Sequence, residues 1–154
     1  MLIGITGDTH GSYKAMFEIS EKKLPVKTWL HTGDFYADAR TLEKLTGVPV
    51  EAVFGNNDFG GTPFDYEKTV FFENQKIWLT HGHRYHSDLL EKAKDKKANI
   101  VVYGHTHVPD ISWHDDVLFI NPGSPSYPRR SSRPSFAVLE LLENTMPEVR
   151  LHTI

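Results

Sequence analysis

The sequence predicts an α/β fold in four layers, an α/β/β/α sandwich of two mixed β-sheets flanked by helices. In residues 1–55, apolar runs alternate with amphipathic stretches in the order strand, helix, strand, helix, strand, which favours parallel pairing. In the last third, apolar runs are separated only by turns, so we expect those strands to form the second, more antiparallel sheet. The length of 154 residues predicts a single domain that covers residues 1–154.

Local hydrophobic patterns and helix-capping residues position the individual elements. Strands are expected at residues 1–7, 28–32, 50–54, 69–72, 77–80, 99–103, 111–113, 117–120, 136–142 and 149–151. Helices are expected at residues 13–24, 39–45 and 88–97, with Ser12 and Ser87 as the N-caps of the first and third. The apolar stripe of the first helix would consist of Tyr13, Met16, Phe17 and Leu24.

The composition and charge exclude several classes of protein. A net charge of -3 and a pI near 6.3 give no basic excess, so we expect no bulk binding to nucleic acid. The absence of cysteine excludes disulfides, thiolate zinc sites and cysteine nucleophiles. No apolar run approaches the length of a membrane span, and no signal-peptide pattern begins the chain. We therefore expect a cytoplasmic protein without a membrane partner.

Five polar clusters, each directly after a predicted strand, form the main functional signal. They are Asp8-Thr9-His10, Gly33-Asp34, Gly55-Asn56-Asn57-Asp58, His81-Gly82-His83 and Gly104-His105-Thr106-His107. Ligands in α/β sheets bind beyond the carboxyl ends of the strands, so we expect these loops to meet at one edge. Asp, Asn and His all bind divalent metals through oxygen or imidazole nitrogen. The clusters therefore predict a metal-dependent enzyme.

Seven residues of these clusters are candidate metal ligands: Asp8, His10, Asp34, Asn56, His81, His105 and His107. This set suffices for two divalent ions about 3.5–4 Å apart that share a bridging carboxylate and a bridging water. Neutral imidazoles with only two carboxylates suit transition metals better than magnesium or calcium, which prefer oxygen ligands. We expect manganese, with nickel, zinc or iron as alternatives.

The clusters, taken in order, resemble the motifs of the calcineurin-like metallophosphoesterase superfamily. These motifs are Asp-x-His, Gly-Asp, Gly-Asn-x-Asp, His-Gly-His and Gly-His-Thr-His. The short chain and the segment Asn121-Pro122-Gly123-Ser124 resemble its small bacterial and archaeal phosphodiesterase branch. The resemblance covers residues 1 to about 130. It implies the four-layer fold and a phosphoesterase activity with a binuclear metal centre.

The resemblance also implies a role for each candidate ligand. The first metal would be held by Asp8, His10 and His107, with Asp34 as the bridge to the second. The second would be completed by Asn56, His81 and His105. A hydroxide that bridges the two metals would attack the phosphorus of a small phosphodiester in line.

Further residues are expected to act on the substrate. Asp34, Asn57 and His83 are the candidate catalytic residues, and Asn57, Ser124 and Arg129 are the candidate substrate contacts. Many members of the superfamily carry a histidine where this chain has Asn57, and asparagine cannot transfer a proton to a leaving group. The small phosphodiesterase branch also lacks that histidine. We therefore expect hydrolysis of diesters, especially those with acidic leaving groups such as aryl esters, over alkyl monoesters.

Two other functions stay open from the sequence. The retromer subunit of this superfamily is an inactive scaffold that departs from the catalytic ligand set, whereas every ligand position is filled here by a competent residue. A phosphomonoesterase is the second alternative, and Asn57 weighs against it. His83 could line the pocket, bind phosphate or be solvated, and Arg129, Arg130 and Arg133 could recognise phosphate or form a solvated face. A homodimer is a further expectation.

Several neighbouring residues have simpler interpretations. Asp38 is expected to begin a helix, and Asp58 to orient a ligand without binding metal. For Asn56, the alternative to metal binding is a plain left-handed turn after Gly55. His31 lies within a strand and is expected to be a core or supporting histidine. Surface positions are expected for His86, His114 and His152, and pocket walls or core positions for Phe35, Tyr36, Phe59 and Phe64.

Overall fold

The structure, a computed structural model, describes residues 1–154. It contains ten strands, three α-helices and a short 3-10 helix at Pro63–Tyr66. The strands are β1 (Leu2–Thr6), β2 (Thr28–His31), β3 (Val50–Ala52), β4 (Glu67–Phe72), β5 (Gln75–Thr80), β6 (Ile100–Val102), β7 (Asp110–His114), β8 (Val117–Asn121), β9 (Ser135–Glu140) and β10 (Glu148–Thr153). The helices are α1 (Tyr13–Glu21), α2 (Tyr36–Thr46) and α3 (Leu89–Asp95).

The strands form two mixed sheets of five strands each. The first sheet has the order β10-β9-β1-β2-β3, and the second has the order β4-β5-β6-β8-β7. In the first sheet β1, β2 and β3 run parallel, and in the second β5, β6 and β8 do so. The remaining pairs are antiparallel. Each sheet thus contributes three parallel strands whose carboxyl ends lie at one edge, which is where ligands bind in such sheets.

Alternating side chains of each sheet build three separate cores. The central core lies between the sheets. It includes Ile3, Ile5, Leu30, Ala137 and Leu139 from the first and Ile77, Leu79, Ile100, Val102, Leu118 and Ile120 from the second. On the outer face of the first sheet, Trp29 and Phe136 pack with residues of α1 and α2. On the outer face of the second, Trp78 packs with Ala93 of α3. The predicted four-layer sandwich is confirmed.

The assignment of the last third to one sheet is wrong. β7 and β8 extend the second sheet, whereas β9 pairs antiparallel with β1 and carries β10 into the first. The long connection between β8 and β9 returns the chain to the first sheet. Hydrophobic alternation indicates that a strand exists, but it does not identify the partner strand.

Two details of the helices also differ from the prediction. Ser12 caps α1 by accepting the N–H of Ala15 at 3.2 Å, as expected. However, Tyr13 and Phe17 are 60% and 46% exposed, because Ala15, Met16 and Ile19 form the buried face. Leu24 lies beyond the end of α1, in the loop before β2. Ser87 is not the cap of α3, which begins after Asp88 without a side-chain cap.

None of the helices combines the length and the apolar character that a membrane crossing requires.

Candidate metal centre

The loops that follow the parallel strands converge at one edge of the two sheets. Five of the seven candidate ligands have a positive φ: Asp8 at 50°, His10 at 49°, Asp34 at 57°, His105 at 73° and His107 at 60°. Residues other than glycine rarely adopt this left-handed conformation, and such strain concentrates at functional sites. Asn56 is not among them, so the alternative of a plain left-handed turn at that position is wrong.

Two glycines allow the loops to approach the carboxylates. A Cβ at Gly55 would lie 2.1 Å from Oδ1 of Asp34, and one at Gly104 would lie 2.8 Å from Oδ2 of Asp8. Any larger residue would displace the carboxylate or the loop. The glycines of the Gly-Asn-x-Asp and Gly-His-Thr-His clusters therefore serve close packing.

Four of the predicted ligands form a compact group, which we call the first ligand group: Asp8, His10, Asp34 and His107. One ligand atom from each lies within 4.8 Å of all the others. Nε2 of His10 is 3.2 Å from Nε2 of His107 and 3.5 Å from Oδ2 of Asp34. Nε2 of His107 is 3.5 Å from Oδ1 of Asp8. Carboxylate oxygens and imidazole nitrogens so arranged can bind a divalent transition metal.

Asp8 is fully buried, and its two carboxylate oxygens have different surroundings. Oδ2 accepts the backbone N–H of His105 at 2.9 Å, whereas Oδ1 has no hydrogen-bond partner. Burial, reinforced by the neighbouring Asp34 carboxylate, raises the pKa of Asp8 to about 8. A buried carboxylate without a partner is costly, and a bound cation would favour its ionised form.

In two histidines, a backbone carbonyl fixes which ring nitrogen carries the proton. Nδ1 of His81 donates to the carbonyl of Thr32 at 2.8 Å, and Nδ1 of His107 donates to the carbonyl of Tyr127 at 2.6 Å. A carbonyl only accepts, so each Nε2 of the neutral ring keeps its lone pair. Burial lowers the pKa of His81 to about 4, which keeps this ring neutral at pH 7. A hydrogen bond to the second nitrogen is the usual way in which a metal-binding imidazole is oriented.

Asp34 lies between two sets of histidines. Its Oδ2 is 3.5 Å from Nε2 of His10, and its Oδ1 is 3.4 Å from Nε2 of His81. Asn57 donates its backbone N–H to Oδ1 at 3.0 Å and its side-chain amide to Oδ2 at 2.8 Å. Burial raises the pKa of Asp34, but three influences lower it: the charge of His81, the two hydrogen bonds from Asn57, and the charge of His10. Together they hold that pKa below its ordinary value. Asp34 is therefore ionised at neutral pH.

The remaining candidate ligands are Asn56, His81 and His105, which we call the second ligand group. Oδ1 of Asn56 is 3.2 Å from Nδ1 of His105, and the ring centroids of His81 and His105 are 5.2 Å apart. His81 is fully buried, whereas Asn56 and His105 are exposed. His83 lies beside this group, with its ring centroid 5.3 Å from that of His81. Nδ1 of His83 is buried without a partner, and burial lowers its pKa.

A chain of hydrogen bonds supports Asp34 from the core. His31 is fully buried; burial lowers its pKa to about 3, so its ring is neutral. Nδ1 of His31 accepts the N–H of Gly33 at 3.2 Å, which leaves Nε2 to donate to the hydroxyl of Thr9 at 3.1 Å. That hydroxyl donates to the carbonyl of Asp34 at 3.3 Å. The interpretation of His31 as a supporting core histidine is confirmed.

Two further carboxylates join the loops to one another. Asp58 accepts the N–H of Tyr36 at 2.7 Å and the N–H of Gly55 at 2.8 Å. Asp38, in the first turn of α2 as predicted, accepts the N–H of Gly11 at 2.8 Å. Asp58 therefore connects the loop after β3 to the start of α2, and Asp38 connects α2 to the loop after β1.

Ser124 and Arg129 differ sharply in their access to a substrate. Ser124 is fully buried; its hydroxyl donates to the carbonyl of Asp8 at 2.8 Å and accepts the N–H of Tyr127 at 2.8 Å. Its predicted substrate contact stays a prediction. Arg129 is exposed, and its N–H donates to the carbonyl of His107 at 3.2 Å. Burial is the main cause that lowers the pKa of His107, and the positive charge of Arg129 lowers it further. Arg129 therefore influences a member of the first ligand group.

A cavity of about 490 Å³ opens beside the first ligand group. It is lined by His10, Phe35, His107, Tyr127, Pro128 and Arg129. Its volume is in the range of small-molecule sites. Of the predicted ligands only His10 and His107 line it, so it adjoins the first group and not the second.

The other aromatic residues and histidines near the site have varied positions. Phe35 lines the cavity, whereas Tyr36, the first residue of α2, is half-buried and packs against the core on the outer face of the first sheet. Phe59 and Phe64 are each 87% exposed, so neither belongs to the core. His86 and His114 are exposed as predicted. Arg130 and Arg133 are also exposed, which fits either role that the sequence left open for them. His152 is half-buried and stacks on Phe136, with ring centroids 5.1 Å apart, so its assignment to the surface is wrong.

Three residues that hold the ligands in place have no signal in the sequence. Thr9 receives the hydrogen bond of His31, and the carbonyls of Thr32 and Tyr127 orient His81 and His107. These partners are separated in the chain by 20 to 49 residues. Backbone carbonyls occur in every residue, so only the folded topology identifies the two that act here.

Comparison with known proteins agrees with this geometry. The family model of the calcineurin-like phosphoesterase superfamily domain matches residues 1–144. The phosphodiesterase MJ0936 of Methanocaldococcus jannaschii is 34% identical over 142 residues, which cover 80% of this chain and 83% of that protein. A predicted phosphoesterase from Streptococcus pneumoniae superposes with a TM-score of 0.83 at 28% identity, covering 99% of this chain and 88% of that one.

The same fold also occurs in a distant protein. Vps29 of Chaetomium thermophilum superposes with a TM-score of 0.79 at 18% identity, covering 100% of this chain and 97% of that one. This likeness concerns the fold alone. The family match and the archaeal and bacterial relatives agree with the motifs that follow the parallel strands. The chain belongs to the calcineurin-like phosphoesterase superfamily.

Proposed function

We propose that this chain is a phosphodiesterase that uses two divalent transition-metal ions at the shared edge of its sheets. The position of Asp34 carries the proposal. Its Oδ2 lies 3.5 Å from His10 of the first ligand group, and its Oδ1 lies 3.4 Å from His81 of the second. A carboxylate whose oxygens face two sets of imidazoles is what a bridged pair of ions requires.

The donor atoms fit such a pair of ions. Oδ1 of Asp8 and Nε2 of His81 are buried, lack hydrogen-bond partners and lie 3.7 Å apart. Nε2 of His81 is an acceptor, and Oδ1 of Asp8 is one when the carboxyl is ionised. Buried polar atoms are nearly always paired, so a cation is the partner that this geometry favours. The first ion would be held by Asp8, His10, Asp34 and His107. The second would be held by Asp34, Asn56, His81 and His105.

The mixture of donors favours transition metals. Four imidazoles, two carboxylates and one amide oxygen combine nitrogen and oxygen ligands, which suits manganese, nickel, zinc or iron better than magnesium or calcium. We infer manganese, which suits the carboxylate and amide oxygens, as the first candidate; nickel, zinc and iron, which suit the imidazoles, are the alternatives.

The chain's own residues have distinct tasks in the proposed reaction. When bound, the ions would supply an activated water as the nucleophile and would neutralise charge on the phosphoryl oxygens. Arg129, whose charge acts on the first ligand group, would bind a phosphate oxygen of the substrate. His83, beside the second group, would donate a hydrogen bond toward the phosphate.

Asn57 limits the range of substrates. Its backbone N–H and one N–H of its side-chain amide donate to Asp34, so its role would be to hold this carboxylate between the ligand groups. An amide has no proton to transfer at neutral pH, so an alkoxide leaving group would receive no help from this position. Acidic leaving groups need no such help. Small diesters with aryl leaving groups should therefore be better substrates than alkyl monoesters.

The scaffold alternative rests on fold alone. The superposition with Vps29 is at 18% identity, which carries no inference about activity. The complete set of seven ligand residues favours an enzyme. Residence in the cytoplasm and homodimerisation stay predictions.

The deciding experiment is hydrolysis of an aryl phosphodiester by protein stripped with a chelator and then given Mn, Ni, Zn, Mg or no metal. We expect turnover only with metal, best with manganese. Asp8→Asn and His105→Ala should each lower kcat/KM by more than about a hundredfold, since both remove a predicted ligand. Asp115→Asn changes an exposed aspartate on the β7–β8 turn and serves as the control.

The same assay separates the competing functions. An aryl diester, an aryl monoester and an alkyl monoester should be hydrolysed in decreasing order of rate. A preference for monoesters would overturn the diesterase assignment. If folded protein hydrolyses none of the three with any metal, the scaffold alternative replaces the enzyme.

A further inference from the structure

The cavity beside the first ligand group is lined by aromatic side chains, which a site for phosphate alone does not require. Two aromatic rings, those of Phe35 and Tyr127, share it with Arg129. The two aromatic side chains are 40% and 57% exposed. Their ring centroids lie 5.7 Å and 5.5 Å from that of His10. The rings thus flank a predicted metal ligand and keep much of their surface available to a ligand.

The backbone of both aromatic residues is fixed before any ligand binds. The carbonyl of Tyr127 accepts from His107 at 2.6 Å, and its N–H donates to Ser124 at 2.8 Å. Phe35 has a left-handed φ of 73° at the start of α2, and a Cβ at Gly11 would come within 3.3 Å of its ring. Binding would therefore order little more than two side chains, which lowers its entropic cost.

The charge of the cavity complements a phosphate ester. Arg129 lines the cavity. Its backbone N–H donates to the carbonyl of His107 at 3.2 Å. A guanidinium next to the metal ligands attracts the phosphate, and the aromatic rings offer faces for a flat group attached to it. The volume of about 490 Å³ exceeds what a phosphate alone would fill.

We propose that this cavity recognises a planar aromatic substituent of the substrate, such as a nucleobase, by stacking on Phe35 and Tyr127. The proposal rests on the proposed function for the position of the phosphate. It deepens that function by naming nucleotide-like phosphate esters as the substrate class. Recognition is by contact with the ring and is independent of the acidity of the leaving group.

The test compares two ligands that differ only in the aromatic group. Adenosine 5′-monophosphate and ribose 5-phosphate share the sugar phosphate, and both are alkyl monoesters, the class that we expect to be hydrolysed most slowly. Calorimetric titration of the manganese-loaded protein should give roughly tenfold or tighter binding for adenosine 5′-monophosphate, the ratio expected from stacking one base on aromatic side chains. Phe35→Leu and Tyr127→Leu, which keep apolar bulk but remove the ring, should each reduce this ratio severalfold. Phe35→Tyr should preserve it.

Matched controls come from α1. Phe17 and Tyr13 are 46% and 60% exposed, close to the values for Phe35 and Tyr127, but they lie outside the cavity. Phe17→Leu and Tyr13→Leu should leave the ratio unchanged. Equal affinity for the two ligands, no binding of either, or a ratio that survives both cavity variants would overturn the proposal.

The outcome is separable from that of the proposed function. If the protein hydrolyses no ester but still prefers adenosine 5′-monophosphate in a ring-dependent way, the cavity assignment stands and the diesterase assignment falls. If it hydrolyses aryl diesters but binds the two sugar phosphates with equal affinity, the diesterase assignment stands and the cavity assignment falls.

Discussion

The two ligand groups differ in how firmly the chain holds them. In the first, Asp8, Asp34 and His107 are buried, and ligand atoms of all four members lie within 4.8 Å of one another. In the second, only His81 is buried, while Asn56 and His105 are exposed and joined by a single 3.2 Å contact. The first group also contains two carboxylates, whereas the second has only a share in Asp34.

Because of this contrast, the two proposed metal positions need not be equivalent. A preformed group with two carboxylates loses little conformational entropy on binding, and it attracts a cation strongly once Asp8 releases its proton to the solvent. Exposed ligands must be ordered when the metal arrives, and solvent screens them. We therefore expect the first group to bind its ion more tightly and the second group to be the adjustable half of the centre.

The largest expected effect is on metal content. Asp8→Asn should abolish tight binding of the first ion, with an affinity loss of more than about a hundredfold. His105→Ala should remove only the second ion and leave one tightly bound ion per chain. Titration calorimetry with manganese, checked by elemental analysis after dialysis, measures both stoichiometries.

Asp115→Asn again provides the control, and it should retain both ions. Loss of both ions in His105→Ala would show that the two groups bind as one cooperative unit. Retention of a tight ion in Asp8→Asn would reverse the order that we assign to the groups.

A smaller effect is expected on the stability of the metal-free protein. The pKa of Asp8 is raised from 3.8 to about 8, so between these values the folded protein holds a proton that the unfolded chain has released. The resulting stability is complete below about pH 4 and is lost as pH rises through about 8. Asp8→Asn cannot ionise, so its Tm should match that of the wild type near pH 4 and exceed it by several degrees near pH 9.

Thermal unfolding with a chelator present measures this difference across the pH range. With manganese added, the order should invert, since the ion stabilises only the wild-type site. If the Tm difference between Asp8→Asn and the wild type does not change with pH, the pKa of Asp8 in the folded, metal-free protein is not raised.

The candidate ligands could be predicted from the sequence, whereas their surroundings could not. Each cluster directly follows a strand, and parallel strands bring such loops together whatever the details of packing. The contacts that set the two groups apart are long-range: Ser124 reaches Asp8 across 116 residues, and His105 reaches Asp8 across 97. No local pattern encodes such contacts.

The same limit applies to the fold. Hydrophobic alternation predicts the strands, but β9 joins the first sheet through pairing with β1, which lies at the opposite end of the chain. In α1, Tyr13 and Phe17 follow an apolar pattern yet remain exposed, because the small Ala15 occupies the buried face beside Met16 and Ile19. An apolar pattern predicts that a helix has a buried face, whereas tertiary packing decides which residues lie on it.

The smallest effect is expected from Ser124, which supports only the first group. Ser124→Ala removes the partner of the Asp8 carbonyl and of the Tyr127 N–H, so the free energy of unfolding should fall by about 1–3 kcal/mol. Manganese affinity of the first group should fall by roughly tenfold, as for other residues that orient ligands. Ser135→Ala is the matched control, because its buried hydroxyl donates to the carbonyl of Pro122 on the same segment. It should cost similar stability and leave manganese affinity unchanged, whereas equal losses of affinity in both variants would mean that the segment acts through general stability and not through Asp8.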